Sequence, residues 1–131
     1  MLDRAKPPRL TEAQLQRLIL NWIGAAAPKV VVFANANAAR RRRGGRAGNA
    51  VPGLTAGVPD LTLVYNSHAY FLEIKREGSP PSSLKATQRH LIERLIEAGA
   101  GVAVVRSLEE VRQAFLHWAI PNREHRQTKE G

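Results

Sequence analysis

The stretch Gly57 to Lys75, GVPDLTLVYNSHAYFLEIK, constrains the fold more than any other part of the sequence. Two runs rich in β-branched, aromatic and aliphatic residues, Asp60 to Tyr65 and Ala69 to Lys75, flank a tight turn around Asn66 and Ser67. That is the pattern of a β-hairpin. With Asn66 and Ser67 as the turn residues, Tyr65 pairs with His68 and Asp60 lies opposite Glu73. Facing residues share a side of the sheet, with Cβ atoms roughly 4.5–5.5 Å apart. Lys75, two residues beyond Glu73, falls on that side too. A longer turn shifts the pairing by a residue or two and keeps the three as neighbours. The register thus gathers two carboxylates and a lysine in segments that otherwise read as core strands.

The rest of the chain supplies elements to pack against this hairpin. Residues 1–10 read as a flexible arm. Thr11 and Gln14 form a capping-box pattern, and Leu15, Leu18, Ile19, Trp22 and Ile23 follow at helical spacing until Gly24 and Pro28. Val30 to Ala34 (VVVFA) reads as a short buried strand. A second helix spans about Leu84 to Ala98 with the apolar stripe Leu84, Leu91, Ile92, Leu95 and Ile96, and VAVV (Val102 to Val105) is another buried strand. Ser107 and Glu110 repeat the capping-box pattern before a third helix that carries Leu108, Val111, Phe115 and Trp118 on one face. The polar segment 121–131 reads as a disordered tail. This order predicts one α/β domain over residues 11–120, with a mixed central sheet flanked by helices and a right-handed crossover into VAVV.

Composition narrows the function. The 131 residues suffice for one domain and one core, and 44% hydrophobic with 24% charged suits a globular chain. Twenty Lys and Arg stand against eleven Asp and Glu, a net charge of +9 that attracts polyanions, nucleic acid first among them. The run RRRRGGR (Arg40, Arg41, Arg42, Arg43 and Arg46) lies in a long irregular segment, Asn35 to Gly57. It reads either as a DNA-backbone contact or as a solvated loop. The absence of cysteine excludes disulfides and thiolate metal sites and suits a reducing compartment. No signal-peptide core and no apolar run of about 20 residues is present, so the expected location is cytoplasmic, with no membrane partner.

Two carboxylates as close as Asp60 and Glu73 repel, so either one of them keeps a proton or a cation intervenes. Oxygen ligands suit Mg²⁺ or Mn²⁺, and a lysine beside such an ion can steer a water or stabilise charge at a phosphate. An ordinary Lys75–carboxylate salt bridge would give the same pattern. Gln88 breaks the apolar stripe of the second helix, so its amide needs partners: backbone groups, or Lys75 and a carboxylate. Glu12 sits on the first helical turn at the edge of the buried face. It reads as a site acid turned toward the sheet or as a residue favoured by the helix dipole.

GVPDLTLV, then FLEIKREGSPPSSLKATQ, then GVAVVRSLEEVRQAFLHW together resemble the VRR-NUC domain (virus-type replication-repair nuclease), a branch of the PD-(D/E)XK nuclease superfamily. The resemblance covers roughly Thr11 to Ile120. It implies a restriction-endonuclease-like core of order α-β-β-β-α-β-α and a Mg²⁺- or Mn²⁺-dependent DNA endonuclease acting on branched, flap or junction DNA. The family's members include small stand-alone phage and bacterial proteins and a DNA-repair nuclease. The resemblance assigns Asp60, Glu73 and the Ile74 carbonyl to the metal, and Lys75 to the attacking water. Gln88 matches the glutamine of the following helix. Glu12, favoured over Gln14 and Gln16 by chemistry and facing, would complete or support the metal shell. The resemblance further implies a homodimer. The Pro-Asn-Gly-like turn of many relatives has its counterpart here at Asn35 or Asn37. Two other readings share these residues: a catalytically inactive nucleic-acid-binding protein of the same fold, and a nuclease acting on RNA.

Overall fold

A computed structural model of the chain describes residues 8–36 and 52–125. The arginine run and Asn37 lie outside them. The element order is α1 (Glu12–Ala26), β1 (Val31–Ala34), β2 (Leu61–Tyr65), β3 (His68–Ile74), α2 (Ala86–Glu97), β4 (Gly101–Val105) and α3 (Leu108–His117). A short 3₁₀ turn, Pro81–Ser83, precedes α2. The strands form one mixed sheet in the order β1-β2-β3-β4, antiparallel up to β3 and parallel between β3 and β4.

Asn66 (φ 49°) and Ser67 (φ 67°) both occupy the left-handed region, as a two-residue turn that follows the strand twist requires. Tyr65 therefore pairs with His68 and Leu61 with Leu72, the register expected from the sequence. Leu61, Leu63, Leu72, Ile74 and Val105 point to one face of the sheet and pack with Leu15, Ile19 and Ile23 of α1 and Val111 and Phe115 of α3. The Trp22 and Phe115 rings meet edge to face at 5.1 Å between centroids. Phe115 is fully buried, and truncating it to Ala is expected to cost about 3–5 kcal/mol.

The opposite face is covered less completely, and two sequence expectations fail there. VVVFA is not a buried strand: Val31 is 59% and Phe33 50% exposed, because β1 is the sheet's edge and α2 packs beside β4. No residue of α2 is fully buried; Leu91, Ile92 and Leu95 are half-buried, and Ile96 is exposed. The β4 residues Val102 to Val104 are half-buried for the same reason, with only Val105 of the strand enclosed.

The capping predictions hold in part. Thr11 and Gln14 form the reciprocal box on α1. Ser107 caps α3 by accepting from the Glu110 N–H, but Glu110 reaches past it to accept from the Arg106 N–H. Residues 121–125, expected to belong to the disordered tail, are tied down. Arg123 N–H donates to the Ala26 carbonyl, and Glu124 accepts from Trp22 Nε1 at 2.7 Å and from Arg112. Buried Asn122 holds the Glu124 and His125 N–H groups. No helix among the described residues is long and apolar enough to cross a membrane.

Candidate active site

Asp60 directly precedes β2 and Lys75 directly follows β3, so both stand at one end of the hairpin. Pro59 has no N–H to offer the Ile74 carbonyl, so the antiparallel ladder ends there. The Ile74 N–H donates to Asp60 Oδ2 at 2.7 Å, while the Pro59 carbonyl accepts from Asn35. This bond fixes one oxygen of the carboxylate and leaves the group beside Glu73, close enough for the two to perturb each other. Glu73, Lys75 and Gln88 form a closed set. Gln88 Nε2 donates to Glu73 Oε2 at 3.0 Å, Lys75 Nζ donates to Gln88 Oε1 at 3.1 Å, and Lys75 Nζ lies 3.4 Å from Glu73 Oε2. Glu73 and Lys75 are both buried.

Gln88 is held from its own helix as well. It occupies the third position of α2 and accepts the Lys85 N–H at 2.9 Å, one arm of a capping box. The amide that interrupts the apolar stripe is thus a helix cap and a ligand of the charged pair at once. Gly57 (φ +85°) brings the Asp60 loop hard against the start of α2. A Cβ built there would stand 2.7 Å from the Thr87 carbonyl oxygen and 3.0 Å from the Gln88 nitrogen.

Asn35 was not separated from Asn37 by sequence reasoning, and the structure gives it a definite place. Its backbone N–H donates to the Asp60 carbonyl at 2.8 Å and its Nδ2 to the Pro59 carbonyl at 2.8 Å, while its Oδ1 accepts from the Thr62 hydroxyl at 3.0 Å. The end of β1 thereby clamps the peptide that carries Asp60. The sequence signal was an asparagine just past the end of β1, two residues beyond the partner of Thr62, legible only once β1 and β2 are paired.

The electrostatics follow from burial. Desolvation first, and then the Asp60 charge, push the Glu73 carboxyl up to about 7, against the pull of Lys75. Desolvation also raises Asp60, while the Ile74 N–H, Glu73 and Lys75 oppose it. Both shifts favour a proton on the pair, in a place where a hard cation would relieve the same repulsion.

Glu12 is exposed on the first turn of α1 and lines a cleft of about 440 Å³ with Gln16, Arg17, Asn21, Asn35, Asp60 and Ile74. It shares the cleft but does not join the carboxylate pair. Among the described residues, no group of three or more His, Cys, Asp or Glu is gathered to hold a metal. The structure therefore brings Asp60, Glu73, Lys75 and Gln88 together, places Ile74 and Glu12 on the cleft beside them, and leaves the arginine run outside the described residues. As a donor set, two carboxylates and a strand-end carbonyl suit Mg²⁺ or Mn²⁺, whose remaining positions are filled by water or phosphate oxygen.

The family profile described as the VRR-NUC domain matches residues 9–109. Two solved structures share the fold. One, titled "VRR_NUC domain protein", superposes with a TM-score of 0.58 at 24% identity, covering 83% of this chain and 88% of its own. The other, "VRR_NUC domain", gives 0.56 at 24% identity, with 82% and 96% covered. Among curated proteins, none matches.

Proposed function

Since the chain belongs to the VRR-NUC domain family and carries its nuclease-type α/β domain, we propose that it is a Mg²⁺- or Mn²⁺-dependent DNA endonuclease that hydrolyses phosphodiester bonds in branched, flap or junction DNA. One observation carries this reading: two mutually repelling carboxylates, half-buried Asp60 and buried Glu73, stand beside a buried lysine that Gln88 holds in place. A protein that only binds DNA gains nothing from carboxylates set toward phosphate.

Asp60, Glu73 and the Ile74 carbonyl would hold the ion, with Glu12 acting from the cleft wall through water. When bound, the ion supplies Lewis-acid stabilisation of charge on the phosphate oxygens. Lys75 orients the attacking water in line with the leaving oxygen. Its ammonium is fixed by Glu73 and Gln88, so little reorganisation is needed as charge develops. Gln88 keeps Lys75 and Glu73 in register, and Asn35 keeps the Asp60 peptide in place. Arg40, Arg41, Arg42, Arg43 and Arg46 supply sequence-blind contacts to the backbone. The protein acts as a homodimer. Val31, Phe33 and Val64 support this, since their register puts them on one side of the sheet and all three are exposed, an apolar patch that a second copy would cover.

Cleavage of linear, flap, splayed-arm and four-way-junction DNA, and of matching RNA, tests the reading with Mg²⁺ and Mn²⁺ separately. Wild-type protein cleaves one or more of the branched DNAs and Lys75→Ala loses that activity. Undiminished cleavage by Lys75→Ala would sink the assignment. Retained DNA affinity with no Mn²⁺ binding would favour a non-catalytic binder.

A further inference from the structure

We propose that the cleft-facing wall of α1, centred on Arg17, grips the DNA phosphate next to the one cleaved; this rests on the nuclease reading above. The wall is built by helical spacing. Glu12, Gln16 and Leu20 recur every four residues, as do Ala13, Arg17 and Asn21, so the two rows lie side by side. All six line the cleft that holds Asp60 and Ile74. The opposite side of α1 is committed to the core through Leu15, Ile19, Trp22, Ile23 and Ala26.

Arg17 is the one cation among the described cleft residues, and the other ionisable groups there, Glu12 and Asp60, are acids. Without Arg17 the described lining would repel an anion. Arg17 is exposed and forms no ion pair with a described residue. Arg112 is engaged with Glu124 and Glu109, Arg106 with the Ser79 carbonyl and hydroxyl, and Arg9 with the Glu77 carbonyl, and none of the other described arginines lines the cleft. The charged pair has its own cation in Lys75. Arg17 therefore presents its fork of donors to whatever enters the cleft, and a planar guanidinium matches the oxygens of a phosphate. It stands five residues beyond Glu12, about 7.5 Å along the helix axis. That places it to hold a flanking phosphate while the scissile one sits at Asp60 and Lys75. Gln16 and Asn21, on either side, offer amide donors to the same strand. Contacts of this kind position the backbone and read no sequence.

Binding of labelled branched DNA in EDTA, where no cleavage occurs, tests the proposal on Arg17→Ala, Arg17→Lys and a charge-matched control, Lys29→Ala, beyond the far end of α1. Arg17→Ala is expected to weaken binding about 5–10-fold near physiological salt. It should also reduce the slope of log affinity against log salt by about one. Arg17→Lys keeps the slope and loses part of the affinity. In Mn²⁺, Arg17→Ala raises KM and leaves kcat within about twofold of wild type. Thermal melting unchanged from wild type shows that the variants are folded. Affinity and salt slope equal to those of Lys29→Ala would overturn the assignment. If Lys75→Ala still cleaves, the nuclease reading falls whatever Arg17 does. If Lys75→Ala is inert and Arg17→Ala binds as wild type, the role of Arg17 alone falls.

Discussion

Replacing Glu73 by Gln should make the protein more stable at alkaline pH, although it removes a carboxylate of the proposed metal site. Burial and the Asp60 charge raise the Glu73 carboxyl from 4.5 to about 7, so the folded state holds its proton more tightly than the unfolded chain does. The stability this proton contributes is fully present below pH 4.5, is lost as the pH climbs to about 7, and is level above. At about 1.4 kcal/mol per unit, the ceiling is about 3 kcal/mol. The pull of Lys75 is already contained in that figure, and solvent in the cleft screens part of the remainder, which leaves about 1–2 kcal/mol. Glu73→Gln keeps the shape, retains one negative charge on Asp60 opposite Lys75, and carries no second charge to bury. The assay is urea unfolding in EDTA at pH 5 and pH 8. Titrating groups remote from the pair are common to both proteins and cancel in the difference; Asp60, which the Glu73 charge perturbs, titrates below this pH range in the variant as Lys75 and the Ile74 N–H hold it down. Wild type should lose about 1–2 kcal/mol more than Glu73→Gln between the two pH values, roughly 3–8 °C in Tm. Equal pH dependence in the two proteins, or lower stability of the variant at pH 8, would refute the account of why the pair is strained.

Mn²⁺ should raise the Tm of wild type at pH 8 and leave Glu73→Gln nearly unmoved, as calorimetry would show; EDTA should abolish cleavage. Asn35→Ala frees the Pro59 carbonyl and should lower activity about 10–100-fold and weaken Mn²⁺ binding, read by titration calorimetry. Thr62→Val should show a smaller loss, and Thr62→Ser, which keeps the hydroxyl, should behave as wild type. Phe33→Ser should shift the protein from dimer to monomer in light scattering while the isolated fold survives, because the side chain is half exposed.

Much of the site was legible because it hangs on one short-range fact. A two-residue turn at Asn66–Ser67 fixes the pairing, and the pairing puts Asp60 opposite Glu73. Gln88 was legible as a polar break in an apolar stripe, although its cap on the Lys85 N–H was not, since Lys85 is no capping residue. What the sequence concealed depended on distant partners. Val31 and Phe33 look like core residues until β1 proves to be an edge with no helix over these side chains among the described residues. Residues 122–125 look like tail until Trp22 and Arg112, on separate helices, converge on Glu124. Asn35 gained its role only when β1 lay beside β2.

The close approach of Gly57 to Thr87 and Gln88 sets where this domain can be re-engineered. The hairpin is a lever with slack at its Asn66–Ser67 tip, where residues are exposed and length can be added. At the other end there is no clearance at all: the loop and the helix meet across the width of a hydrogen atom. Any side chain at Gly57 acts as a wedge that moves Asp60 and Gln88 apart together. Insertions into this domain should therefore go to the tip, away from Asp60 and Lys75, with the Gly57 joint treated as a fixed pivot.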